Sequence, residues 1–164
     1  MTAKNQTQSA GPLDIRETWQ SLLVFLLICF LVFAFGGLFR PGEWYLALNK
    51  APWSPPNIAF PIVWSLLYTC IAIAGWQIYH RGNTTLKILW GLQLVFNALW
   101  SWMFFGQHWV LLGLVDIILI DGLVINLMLK ARRVGLSSTS LLLVPYIAWL
   151  LLATTLNSYI LLAN

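Results

Sequence analysis

Charge is what this sequence has least of. Only 9% of its 164 residues are Asp, Glu, Lys or Arg, while 60% are hydrophobic, whereas soluble globular domains run to about a quarter charged. That balance excludes an ordinary soluble domain and points to an integral membrane protein. Cysteine is scarce as well. Cys29 and Cys70 fall in separate apolar segments, at no spacing that suits a zinc site or a redox pair, and both read as small buried hydrophobes. Segments of about 10 residues with alternating polarity are missing, which argues against a β-barrel. No glycine-rich phosphate loop, nucleophile elbow or metal-ligand cluster occurs, which weighs against enzymes of those classes. His80 and His108 stand at predicted helix ends near opposite membrane faces and are not expected to share a metal. The basic residues form no dense run, so nucleic acid is not an expected partner.

Long apolar runs are present instead, each able to cross a hydrocarbon core that takes about 20 residues of helix. They predict an all-α integral membrane protein, a bundle of five transmembrane helices at about 19–39, 58–79, 86–106, 108–130 and 136–162. Residues 1–14 read as a flexible leader and 15–164 as a single domain. The polar residues before the first run, and the lack of a small-residue cleavage site after it, distinguish it from a signal peptide. Lys4, Arg16, Arg81, Lys87, Lys130, Arg132 and Arg133 fall on the side of the N-terminus, and Arg40 and Lys50 on the other. In a bacterial cytoplasmic membrane this split predicts a cytoplasmic N-terminus and an external C-terminus.

The connections after the second, third and fourth helices are short, which predicts antiparallel packing of neighbours. Arg40 to Asn57 is the exception, at 18 residues, and loops of that length in compact domains tend to be functional. Its segment "GEWYLALNK" is amphipathic, with Trp44 and Tyr45 suited to the membrane interface. It predicts a short surface helix, so the loop is expected to be partly helical. The prolines of "APWSPP" exclude helix interior there.

Tryptophan is abundant, at ten residues. Trp19, Trp44, Trp76, Trp90 and Trp109 fit an aromatic belt at the interfaces by their positions near predicted helix ends. Trp64, Trp100, Trp102 and Trp149 lie deeper, and a buried indole needs a partner for its N–H. A flat aromatic ligand would account for them. Gln93, Asn97 and Ser101 recur at spacing four in the third helix, a polar stripe that serves either interhelical hydrogen bonds or a cavity. Trp149, Ala153 and Asn157 recur likewise in the fifth, where the small Ala153 leaves room for a neighbouring helix or a ligand. The fourth helix carries Asp116 and Asp121, five residues and therefore about 140° apart at roughly 100° per residue, too divergent for a catalytic dyad on one face. An intramembrane carboxylate such as Asp116 is read either as hydrogen-bonded to a tryptophan N–H or neighbouring backbone, or as part of a proton or ion path.

With these residues laid out, the chain resembles the TspO/MBR family of tryptophan-rich sensory proteins and translocator proteins. The segments that carry the resemblance are "WYLALNKAPWSPP" in the first loop, "FPIVWSLLY", "LQLVFNALWSWMFFG", "GLVDIILIDG" and "PYIAWLLLATTLN", in that order. The resemblance implies a membrane receptor or sensor, usually dimeric, whose intramembrane pocket binds porphyrins such as protoporphyrin IX or heme, and isoquinoline-type ligands. No obligatory cofactor and no metal are implied. The first loop would act as a lid, with its prolines holding Trp53 over the pocket. By motif, the pocket would be lined by Tyr45, Trp53, Phe60, Trp64, Asn97, Trp100, Phe104, Trp149, Ala153 and Asn157. Two alternatives stand beside the receptor. One is light- and oxygen-dependent porphyrin degradation, with Trp53 and Trp149 as electron-rich groups. The other is a porphyrin or lipid transporter using Asp116, which the lack of an inverted repeat places below binding. Tyr159 is followed by "ILLAN" without a basic residue, so the cholesterol motif of animal members is not expected here, and a bacterial member is.

Overall fold

The computed structural model describes residues 15–164, with side chains from Trp19 onward. The expected leader at residues 1–14 lies outside the described residues. The elements are α1 (Ile15–Gly36), α2 (Glu43–Ala47), α3 (Ala59–Arg81), α4 (Thr84–Ser101) running on into a π-helical turn (Trp102–Gly106), α5 (Val110–Arg133), α6 (Ser137–Leu142) and α7 (Val144–Ala163). No strand occurs among the described residues. Five stretches are long and apolar enough to span a bilayer, namely Trp19–Gly36, Ala59–Arg81, Thr84–Gly106, Val110–Arg133 and Ser137–Ala163. The protein is an all-helical, multi-pass membrane protein.

Local chemistry sets the turns. Asn83 accepts the Leu86 N–H through its side chain, at 3.1 Å, and so starts α4 with only two residues between it and the end of α3, as an N-cap asparagine does. Gly135, at φ 82°, ends α5 in the left-handed conformation, where glycine carries no Cβ penalty. Lys130, Arg132 and Arg133 occupy the last turn of α5, the favourable end of the helix dipole for cations. The fifth span is one run by hydropathy but two helices in the structure. Pro145, in the first turn of α7, has no N–H to continue the ladder from α6.

The spans close a ring in the order α1, α3, α7, α5, α4 and back to α1. The core follows the inner faces, with Ile71, Ala72, Leu86, Val124, Leu127 and Tyr146 fully buried. In α1, by contrast, Leu23, Leu27, Phe30 and Leu31 are exposed toward the membrane. Trp90 departs from the belt expected of it. It is buried and donates its indole N–H to the Ile71 carbonyl at 2.9 Å. Gly75 makes room for it, since a Cβ there would stand 2.3 Å from the indole. Trp19 and Trp109 are exposed, as belt residues are. Cys29 is buried, Cys70 partly so, and both are free thiols.

Candidate functional site

The inner faces of the ring do not meet throughout. Toward the end that carries the α1–α3 loop they leave a cavity of about 570 Å³, within the 300–1,000 Å³ typical of small-molecule sites. Every span contributes to its wall. Phe60, Trp64 and Tyr68 come from α3 at successive spacings of four. Asn97, Trp100 and Ser101 come from α4, Ile117 and Ile120 from α5, and Leu150, Ala153 and Asn157 from α7. Phe33 and Gly36 of α1 close the remaining side.

The end of α4 is shaped by its π turn, in which Gln107 N–H donates to the Trp102 carbonyl at 2.9 Å. Such turns are rare and concentrate at functional sites. Here the turn brings the adjacent residues Phe104 and Phe105 both to the cavity. Phe104 is buried and stacks on Trp100 with ring centroids 5.0 Å apart and planes 11° apart. Both rings of this stacked pair line the cavity.

The polar side of the cavity is a hydrogen-bond chain. Tyr68 donates to the Asn97 side-chain oxygen. Asn97 in turn donates to the Tyr146 hydroxyl at 2.9 Å, and Tyr146 donates to Gln93 Oε1 at 2.9 Å. Both readings of the polar stripe therefore hold in part: Gln93 and Asn97 bond across helices, while Asn97 and Ser101 also line the cavity. A fully partnered chain of this kind holds its members in one arrangement.

The loop covers the cavity through α2. Tyr45 lines it and meets Phe105 edge-on at 5.3 Å, and Trp44 stacks on His108 at 4.1 Å. Lys50 Nζ donates to the carbonyl oxygens of Tyr45, Leu46 and Leu48 at 2.9, 3.0 and 3.0 Å, capping the end of α2 with a cation. Burial pushes the Tyr45 phenol above its ordinary value, so it stays neutral and able to donate. Arg40, exposed to water, stands at the mouth and is the charged member of the lining.

Eight of the ten residues expected to line the pocket do so: Tyr45, Phe60, Trp64, Asn97, Trp100, Phe104, Ala153 and Asn157. Trp53 and Trp149 do not. Trp53 is 52% exposed and turns to α7, where its indole N–H donates to Thr155 Oγ1 at 3.3 Å and its ring meets Tyr159 edge-on. It fastens the loop and does not roof the cavity. Trp149 packs edge-on against Phe60 at 5.5 Å, and Phe60 takes the place on the wall. The hydrogen bond considered for Asp116 is also absent. Asp116 is buried and neither carboxylate oxygen has a partner among the described residues. Asp121, in contrast, accepts from Thr154 at 2.8 Å. Tyr68 and Arg40 were not singled out from the sequence. Tyr68 was within reach, because it continues the Phe60 and Trp64 spacing.

Similarity to known proteins agrees with this architecture. The TspO/MBR family pattern matches residues 25–162. The chain is 38% identical over 133 residues to a tryptophan-rich protein TspO from Chlorobaculum tepidum, covering 76% of this chain and 82% of that protein. It is 32% identical over 140 residues to a tryptophan-rich sensory protein from Cereibacter sphaeroides, covering 85% and 88%. It is 33% identical over 131 residues to a human translocator protein, covering 74% and 77%. With the family pattern running through all five spans and relatives matched over most of their own length, the chain belongs to the TspO/MBR family.

Proposed function

We propose that this protein is a membrane receptor or sensor for a flat, anionic aromatic ligand of the porphyrin type, protoporphyrin IX or heme, held in the cavity under α2. The observation that carries the reading is the shape and chemistry of that cavity. The stacked pair Trp100 and Phe104 lines it, Phe60 and Trp64 stand on α3, and Arg40 is the cation of the lining among the described residues. Aromatic faces gain about 0.5–1.5 kcal/mol per ring pair beyond burial, and a cation at a wet mouth suits a carboxylate that stays partly in water. The sensory and translocator names of its relatives support the same class of role. In this reading the loop is external, the N-terminus cytoplasmic, and the protein pairs as a homodimer.

The test is a titration of the purified full chain in neutral detergent with protoporphyrin IX, in the dark, following tryptophan fluorescence. One saturable site per chain at micromolar ligand is expected, and unsaturable quenching rejects the reading. Flux across sealed vesicles would make the protein a transporter, and product formation under light a degrading enzyme. The receptor reading expects neither.

A further inference from the structure

A second recess, of about 310 Å³, lies on the outside of the ring between α1, α3 and α4, and shares no residue with the first. Its walls are apolar. Phe25 meets Trp90 at 5.2 Å and Tyr79 at 5.7 Å, and Ile28 and Ile78 extend the slot along the helices. Two glycines shape it. Gly75 lets the Trp90 ring lie against α3, and a Cβ on Gly91 would meet nothing within 4 Å, so Gly91 borders open space.

One end of this apolar slot is charged. Lys87 lies over the Tyr79 ring with Nζ 5.0 Å from the centroid, is exposed, and has no carboxylate partner among the described residues. It sits in the first turn of α4, at the same end of the bundle as Arg81 and as Lys130, Arg132 and Arg133 of α5. A lysine that rests its stem on apolar surface with its head at the interface is placed to meet a phosphate there.

We infer that this recess binds one anionic phospholipid, its phosphate on Lys87 and one acyl chain in the slot beside Phe25, Ile28 and Gly91. Charge complementarity selects the headgroup, because the basic end of the bundle carries a cation at the slot, Lys87, with no carboxylate partner among the described residues. The apolar walls select an acyl chain over a soluble anion. A lipid held there would bridge α1, whose outer face is exposed at Leu27 and Leu31, to α3 and α4.

The experiment counts lipid retained by the purified full chain in neutral detergent, by native mass spectrometry, after equal phosphatidylglycerol and phosphatidylcholine of matched chains are supplied. One cation near the membrane surface corresponds to about a fivefold preference. The native chain is expected to retain phosphatidylglycerol over phosphatidylcholine by about that factor. Lys87→Gln brings the ratio to about one, and Gly91→Leu lowers retention of both lipids. Lys130→Gln and Gly122→Leu leave the ratio unchanged, since Gly122 also faces open space but on α5. The proposal is overturned if Lys87→Gln keeps the preference, if Lys130→Gln abolishes it equally, or if excess glycerol phosphate displaces the lipid. Should Gly91→Leu fail to fold, the two lysine variants alone decide.

Discussion

The indole N–H of Trp53 donates to the hydroxyl of Thr155 at 3.3 Å, on the outer flank of α7 and away from the cavity. This contact is one of several that fasten the loop to the fifth span. Trp53→Phe keeps the ring beside Tyr159 and removes the hydrogen bond, worth about 0.5–1.5 kcal/mol. Porphyrin dissociation in a stopped-flow experiment is expected to quicken by about 2- to 10-fold, with the spectrum of the bound ligand unchanged. A changed spectrum would put the indole against the ligand.

A further fastening joins Asn49 to Asn164, beside a bond from Asn49 Nδ2 to the Ala163 carbonyl at 3.2 Å. Asn49 N–H donates to Asn164 Oδ1 at 2.9 Å, and Asn164 Nδ2 returns a bond to the Asn49 carbonyl at 3.3 Å. Asn164→Ala removes both, and Lys50→Gln removes the cation that gathers three carbonyls at the end of α2. Each variant is expected to speed amide hydrogen exchange across residues 43–57 while exchange in α3–α5 stays as in the native chain, because local opening follows local contacts.

Arg40 gives the account a charge test. If it meets a ligand carboxylate at the water-facing mouth, the native chain prefers protoporphyrin IX to its dimethyl ester. Exposed ion pairs contribute about 0.2–1 kcal/mol, so the expected preference is about 1.5- to 5-fold. It disappears in Arg40→Gln and shrinks in high salt. Parallel titrations of the two ligands read this directly.

The polar chain at the cavity floor predicts an order of stabilities. Tyr146→Phe leaves Asn97 Nδ2 and Gln93 Oε1 without partners, whereas Tyr68→Phe frees only the Asn97 oxygen. With hydrogen bonds inside membranes averaging about 0.6 kcal/mol and reaching about 1.7, Tyr146→Phe is expected to cost about 1–3 kcal/mol, and Tyr68→Phe roughly half that. Denaturation in detergent should rank them so.

The sequence was most readable where one residue type dominates. Five apolar runs specify five spans, and "GEWYLALNK" marks α2 because its amphipathic pattern breaks the hydrophobic background. The lining residues on α3 and α4 were accessible through spacing and family motif together. Three features were not. The π turn at Trp102–Gly106 lies in a run, "WMFFG", whose hydropathy is that of any spanning helix. The direction in which Trp53 points depends on Thr155 and Tyr159, about a hundred residues away, and a motif carries no direction. The chain from Tyr68 to Gln93 needs a tyrosine from α7 to complete it; the Gln93 and Asn97 stripe showed only half.

Ala153 offers the most direct test of the central claim. It lies on the cavity wall with no large side chain of its own, while Gly122 of α5 faces open space outside. Protoporphyrin IX should be titrated against the native chain, Ala153→Leu and Gly122→Leu in the dark. The account predicts saturable micromolar binding that weakens at least about tenfold, or 1.4 kcal/mol, in Ala153→Leu and is unchanged in Gly122→Leu. Equal binding by all three would contradict it, because a ligand indifferent to a filled cavity is not bound there.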